Sequence, residues 1–215
     1  MVPFSKDVFL GVVEHYATLI WPGQILAFLL GCAVVDMVRR PRLRSSSRTA
    51  CGLMAAGWFW IGSIYYADHI AGLSWAAWIS ATAFTLQGVL LLVFGTIRNS
   101  VPLQYERNPV GNTGLGFMLY ALFGYPAIAA INGIPLTAAP VVGFAPDPTI
   151  LFTLGMLLNV RGRTPLTLAI LPLGCAAANG VAAWRIGLPI DDVMRPAARG
   201  ALAVMIMKNR SAQDR

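Results

Sequence analysis

The sequence predicts an all-α fold, a polytopic transmembrane helical bundle of about six crossings, and three observations lead there. The chain is 57% hydrophobic and 12% charged, against about 25% charged in a soluble domain. Its charges are segregated, so that long uncharged runs alternate with short clusters of arginine. The apolar runs are continuous rather than alternating, which speaks for helices and against a transmembrane barrel.

The elements follow in order. The opening run, "MVPFSKDVFLGVVEHYATLIWPGQ", lacks a basic leader and carries Asp7 and Glu14. It is expected to be a short amphipathic surface helix with Ser5 as its N-cap, and not a cleavable signal. Crossing a bilayer core of roughly 30 Å takes about 20 apolar residues. Runs of that kind occupy 18–38, 50–70, 73–97, 114–134 and 164–184, and the stretch 140–160 makes a sixth. That sixth element, "PVVGFAPDPTILFTLGMLLNV", is broken by Pro146 and Pro148. Its regular part is only about 18 Å of helix at 1.5 Å per residue. The stretch 134–148 also holds Pro135 and Pro140, so it is expected at the outer interface or between other helices, where its backbone groups find partners. Residues 1–195 thus read as a single transmembrane helical domain. The run 196–215 reads as a short basic tail, too short for an upright crossing and expected at the interface.

Orientation follows from the arginines. The first connector, "RRPRLRSSSR", and the connectors 98–113 and 161–163 fall on one side by alternation and carry all the loop arginines. The connectors 71–72 and 135–139 carry none. The arginine side is therefore assigned to the cytoplasm of a bacterial inner membrane, with the amino terminus outside. Trp21, Tyr65, Tyr66, Trp75, Trp78 and Trp184 fall at the ends this rule makes external, as an aromatic belt would. On this six-crossing count the tail, with six basic residues beyond 184, lies outside and against the charge bias.

The net charge of +7 belongs to these loops and the tail and gives no nucleic-acid signal. Cys32, Cys51 and Cys175 are scattered and odd in number, so they read as small buried hydrophobes. No hydrolase elbow, phosphate loop, dinucleotide fingerprint or zinc-protease helix occurs.

Ionisable groups inside an apolar chain are the candidates for function. Asp147 heads the half-length helix, as an N-cap followed by proline at N1. It is equally placed as a ligand-facing group, because broken backbone before a half-helix is a pattern of transporter sites. Gln24, Gln87 and Asn132 complete that candidate path, although such amides, Asn179 included, more often hydrogen-bond between helices. Glu14, His15, Asp68 and His69 gather at the external end. They suit a metal, or the two histidines a haem, although their spacing matches no known ligand motif. No cofactor is otherwise expected. Ala77, Ala81, Thr85 and Gly88 form a small-residue face open to another helix of this chain or of another protein. Trp58 and Trp60 fall mid-span, where large rings fill a bundle.

The segments "PFSKDVF", "WPGQI", "WFWIGSIYYA" and "GFAPDPTILFTLGMLL" resemble the landmarks of an uncharacterised family of bacterial multi-pass inner-membrane proteins, a domain of unknown function. The resemblance covers residues 3 to about 192. It implies the architecture and no activity. In that family a cysteine usually stands at the position of Asp147 and a histidine at that of Tyr66, so any chemistry of that pair is not available here. On these grounds the chain is expected to be a non-catalytic accessory or scaffold subunit whose partners are lipid and other membrane subunits or itself. The alternatives are a small transporter or channel with its site near Asp147, and a redox or metal-binding protein using His15 and His69.

Overall fold

The computed structural model describes residues 6–41, 45–186 and 194–211. Ser5, the expected N-cap, lies outside them, and so does the side chain of Trp184. The described chain is helical, and its one strand-like pairing is a single antiparallel bridge between Leu103 and Val160.

Helix α1 (Lys6–Leu19) turns through 81° into α2 (Gly23–Arg39). Pro22 sits in the break, and having no N–H it cannot continue a helix ladder. Helix α3 (Ser46–Trp60) runs on as a π-helix over Ile61–Ile70, and α4 (Ala76–Leu90) runs on as one over Leu91–Ile97. Helix α5 (Pro109–Leu119) passes through a π-helical turn, Tyr120–Gly124, into α6 (Tyr125–Ile131). The start of α5 is fixed locally: Asn108 accepts from the Gly111 amide at 2.7 Å and Pro109 takes the first helical position. Helix α7 (Pro146–Leu158), α8 (Leu166–Ile186) and α9 (Met194–Ser211) complete the chain.

Among the described residues two helices, Ala76–Ile97 and Pro109–Ile131, are long and apolar enough to cross a membrane, and the bent pair of α1 and α2 makes a third if it is counted as one span. The expected count of six is thus not matched helix by helix. The run 18–38 is divided at Pro22. The sixth element is 13 helical residues, about 20 Å, while α8 runs unbroken for 21 residues with Pro172 inside it.

Helix α7 is the centre of the molecule. Every residue of it except Asp147 is buried, against α5, α8, α9 and α3. A helix apolar on all sides has no face for water and is stable only when enclosed. The α5 crossing is close because both helices offer glycine: a Cβ on Gly155 would stand 2.5 Å from the Gly114 carbonyl oxygen. The small-residue face of α4 is likewise used inside the chain. Ala77, Ala81 and Gly88 are buried, and a Cβ on Gly62 would lie 2.6 Å from the Thr85 hydroxyl.

Interior prolines free carbonyls, and polar side chains of other helices take them up. Pro172 cannot offer an N–H to Leu168, four residues earlier, and Gln87 of α4 donates its Nε2–H to the Leu168 carbonyl at 3.0 Å. Gln87 is fully buried. Its amide ties α4 to α8.

The connectors that carry arginine meet at one end of the bundle. Arg161 N–H donates to the Pro102 carbonyl and Gln104 N–H to the Asn159 carbonyl, both at 2.8 Å. Tyr105 N–H reaches the Val38 carbonyl at 2.9 Å. Arg48 Nε–H donates to the Thr96 carbonyl, and the Thr96 hydroxyl donates back to that of Arg48. The last turn of α9 arrives at the same end. Lys208 donates to the carbonyls of Leu158 and Val160, which close α7. Asn209 accepts from Thr164 N–H at 2.7 Å and donates to the Thr164 carbonyl at 3.0 Å. The tail is therefore no loose appendage at the opposite end: α9 packs on α7 and α8, with Ala201 and Met205 fully buried.

Trp21, Trp75 and Trp78 are exposed, as an aromatic belt requires. Tyr65 and Tyr66 are not part of one, because both rings are buried.

Candidate functional site

Asp147 is the second residue of α7, between Pro146 and Pro148, while the N-cap position belongs to Ala145. Its carboxylate oxygen Oδ1 accepts from the Asn179 side-chain amide of α8 at 2.7 Å. The Oδ1 of Asn179 in turn accepts from the Tyr66 hydroxyl at 3.4 Å. The amide orientation is set by its neighbours, since a carboxylate only accepts and the phenol can donate. Cys175 stands one turn before Asn179 on the same face of α8. Both its thiol and the Tyr66 hydroxyl lie within electrostatic reach of Asp147. The head of a buried half-helix, the π-helical stretch that continues α3, and the middle of α8 thus present four polar groups to one another. Helices of π geometry are rare and recur at functional sites.

Two structures hold this arrangement. The irregular segment before α7 folds back on α3, where a Cβ on Gly57 would come within 2.8 Å of the Gly143 Cα. Gly143 has φ +92°, a conformation open to glycine. The polar groups of that segment are satisfied by side chains: Tyr16 donates to the Phe144 carbonyl at 2.9 Å and accepts from the Trp60 indole N–H. The Thr149 hydroxyl donates to the Ala145 carbonyl and accepts from Gly143 N–H, both at 2.7 Å. Irregular backbone inside an apolar bundle survives only with such partners. The second support is a continuous run of rings, His69, Tyr16, Tyr65, Tyr66, Phe84 and Trp58, with successive centroids 4.5–5.2 Å apart. Trp58 ends the run in the core, where its indole donates to Thr153 of α7 at 2.9 Å.

The other expected site residues do not converge on Asp147. Asn132 is exposed at the end of α6, donating to the Ile128 carbonyl. Gln24 is buried and donates to the Ala17 carbonyl across the α1–α2 bend at 3.2 Å. Asp68 and His69 pair at 3.4 Å, and His69 Nδ1–H donates to the Ile64 carbonyl. Glu14 and His15 are exposed on α1. Among the described residues no group of three His, Cys, Asp or Glu side chains that could hold a metal ion is found, Glu14, His15, Asp68 and His69 included. Three members of the observed cluster were read differently from sequence: Tyr66 as interface, Cys175 as a small hydrophobe and Asn179 as glue. One signal for them was present, since the two positions at which this chain departs from its resemblance, Asp147 and Tyr66, are the two that Asn179 joins.

The model of a family described as a family of unknown function (DUF6064) matches residues 6–215. No curated protein and no solved structure matches the chain.

Proposed function

The chain belongs to DUF6064, which brings no activity with it, and we propose that it is an integral protein of a bacterial cytoplasmic membrane that binds a small cation at Asp147 and carries it into or across the bilayer. The observation behind this reading is the meeting of Asp147, Asn179 and Tyr66, from three separate stretches of chain, at the head of an enclosed half-helix. A carboxylate backed by an amide and tyrosine faces suits an alkali or alkylammonium ion, through charge and cation–π attraction together. The membrane part of the proposal is supported by the apolar lengths of α4 and α5–α6. Exposed Ile25, Leu26, Leu29 and Leu30 on α2 add to it, as does the convergence of the arginine connectors at one end. In this reading that end is cytoplasmic, the amino terminus is external, and the passages from α1 through α8 number six, with the half-helix and its irregular prelude counted as one.

A scaffold or accessory role keeps one observation of its own. Trp75, Trp78, Ile79, Leu86 and Val89 make an exposed stripe on α4 that fits another subunit as well as it fits lipid. The test separates the two. Thermal midpoints of the detergent-purified protein are measured against sodium, potassium, methylammonium and tetramethylammonium chlorides, with mass spectrometry of the native preparation for bound subunits. At least one ion is expected to raise the midpoint in a saturable way, and Asp147→Asn is expected to abolish the rise. A midpoint indifferent to every ion, in a preparation with stoichiometric partners, would replace the transport reading with the scaffold one.

A further inference from the structure

Helix α8 leaves the arginine end at Leu166 and runs 21 residues, about 31 Å at the usual rise, so Ile186 stands at the opposite end. By the last turn of α9 the chain is back at the arginine end, where Lys208 caps the carbonyls of Leu158 and Val160 and Asn209 pairs with both backbone groups of Thr164. Helix α9 therefore retraces most of the thickness that α8 covers. Its inner face, Ala201 and Met205, is fully buried, with Ala197, Ala198 and Val204 packed on the core. Its outer face carries Leu202, Ala203, Ile206 and Met207, all exposed, with Arg199 and Arg210 at the two ends of the same stripe. These positions recur at three and four residues, so they share one side of the helix.

A helix lying on a bundle in water is apolar inward and polar outward. Between Arg199 and Lys208 helix α9 is apolar both ways, and its charges, at 195, 199, 208 and 210, flank that stretch. Long guanidinium side chains at the ends of such a stripe reach out to headgroup phosphates while their stems stay in hydrocarbon. We propose that α9 is embedded in the bilayer beside α7 and α8, with its outer stripe against lipid acyl chains, and that the chain beyond Ser211 emerges on the same side as the connectors 40–48, 98–108 and 161–163. This rests on the membrane reading above. It also halves the charge conflict of a six-passage count, because three of the six basic residues beyond 184, Lys208, Arg210 and Arg215, then join the arginine side.

The test uses single cysteines in a chain whose Cys32, Cys51 and Cys175 are replaced by alanine, labelled in intact cells and after permeabilisation with a membrane-impermeant maleimide. Arg161→Cys and Ser211→Cys are expected to react only after permeabilisation, and Asn132→Cys before it. Met207→Cys is expected to resist the impermeant reagent in both conditions and to react with a lipid-soluble maleimide. Should the cysteine-free chain fail to fold, a green fluorescent reporter fused beyond residue 215 of the natural sequence gives the same answer, since it matures in the cytoplasm. Labelling of Ser211→Cys together with Asn132→Cys, or a dark reporter on an abundant fusion, would overturn the placement of α9. Free reaction of Met207→Cys with the impermeant reagent would overturn its lipid contact. If Arg161→Cys and Asn132→Cys behave alike, the membrane reading itself falls, and α9's placement with it.

Discussion

Gln87→Leu tests whether the interior proline of α8 is held by a side chain of α4. The Leu168 carbonyl loses its in-helix partner at Pro172, and Gln87 Nε2–H replaces it at 3.0 Å in a place where Gln87 is fully buried and Leu168 nearly so. Leucine nearly conserves the volume but leaves that carbonyl without a donor. An unsatisfied buried carbonyl costs about 1–3 kcal/mol. Part of this is offset, because Gln87 Oε1 is itself buried without a hydrogen-bond partner and leaves with the substitution. The expected net loss is about 1–2 kcal/mol, a fall in midpoint of about 2–8 °C for a chain of this length. The decisive measurement is a double-mutant cycle with Pro172→Ala, in which alanine restores an N–H four residues beyond Leu168. Stability is read from tryptophan fluorescence and circular dichroism as the sodium dodecyl sulfate fraction rises in mixed micelles. Gln87→Leu should cost less in the alanine background by about 1 kcal/mol, the size of coupling expected for residues in direct contact. An equal cost in both backgrounds would refute the argument, and Gln87 would then be only a buried polar residue of α4.

Two further outcomes follow from the packing of α7. Gly155→Ala places a methyl group 2.5 Å from the Gly114 carbonyl oxygen and 2.9 Å from Met118 Cγ, an overpacking expected to cost about 1–3 kcal/mol. Gly116→Ala, two residues from Gly114 on the outer side of α5 with nothing within 4 Å, should be neutral or stabilise by up to about 1 kcal/mol; the same unfolding assay compares them, and equal effects would deny the close crossing. Lys208→Met should destabilise by about 1 kcal/mol at neutral pH through loss of the two caps on α7. The same unfolding assay reads this loss, and an unchanged midpoint would contradict the capping of α7 by Lys208.

The helical class, the arginine connectors and the half-length of the element after Pro146 were all legible in the sequence. Each depends on local facts: apolar run length, charge position, and a missing N–H at proline. What was not legible depends on which helix lies beside which. Gln87 and Pro172 are far apart in the chain, and nothing in either neighbourhood says that one repairs the other. Tyr66 reads as an interface aromatic by its place near a helix end, yet Phe84 of α4 and Asn179 of α8 pack on it from distant parts of the chain. The small face of α4 is visible as a pattern, but only packing shows that Gly62 and Phe59 of this same chain fill it. That α9 lies along α7 and α8 is equally a matter of packing, since its sequence shows only a short apolar run between charges.

Asp147 carries the functional proposal, and its two roles can be separated by substitution. A carboxylate in the first turn of a helix is stabilised by the unpaired N–H groups there, by about 0.3–1 kcal/mol at an exposed site. That role alone asks for no partner on a neighbouring helix. Here Asn179 spans from α8 and gives its amide proton to the carboxylate, while its own oxygen takes the Tyr66 hydroxyl. Asp147→Asn keeps an oxygen acceptor of the same reach, so Asn179 can still donate and the fold should lose no more than the dipole contribution. Asp147→Ala removes charge and acceptor together and strands the Asn179 amide, which should cost more, about 1–3 kcal/mol. If the aspartate is only structural, the two variants differ in stability and in nothing else. If it holds a cation, both abolish the ion-dependent rise in midpoint although only one is strongly destabilised. An asparagine variant that keeps the full ion response would show that the charge at the head of α7 serves the helix and no ligand.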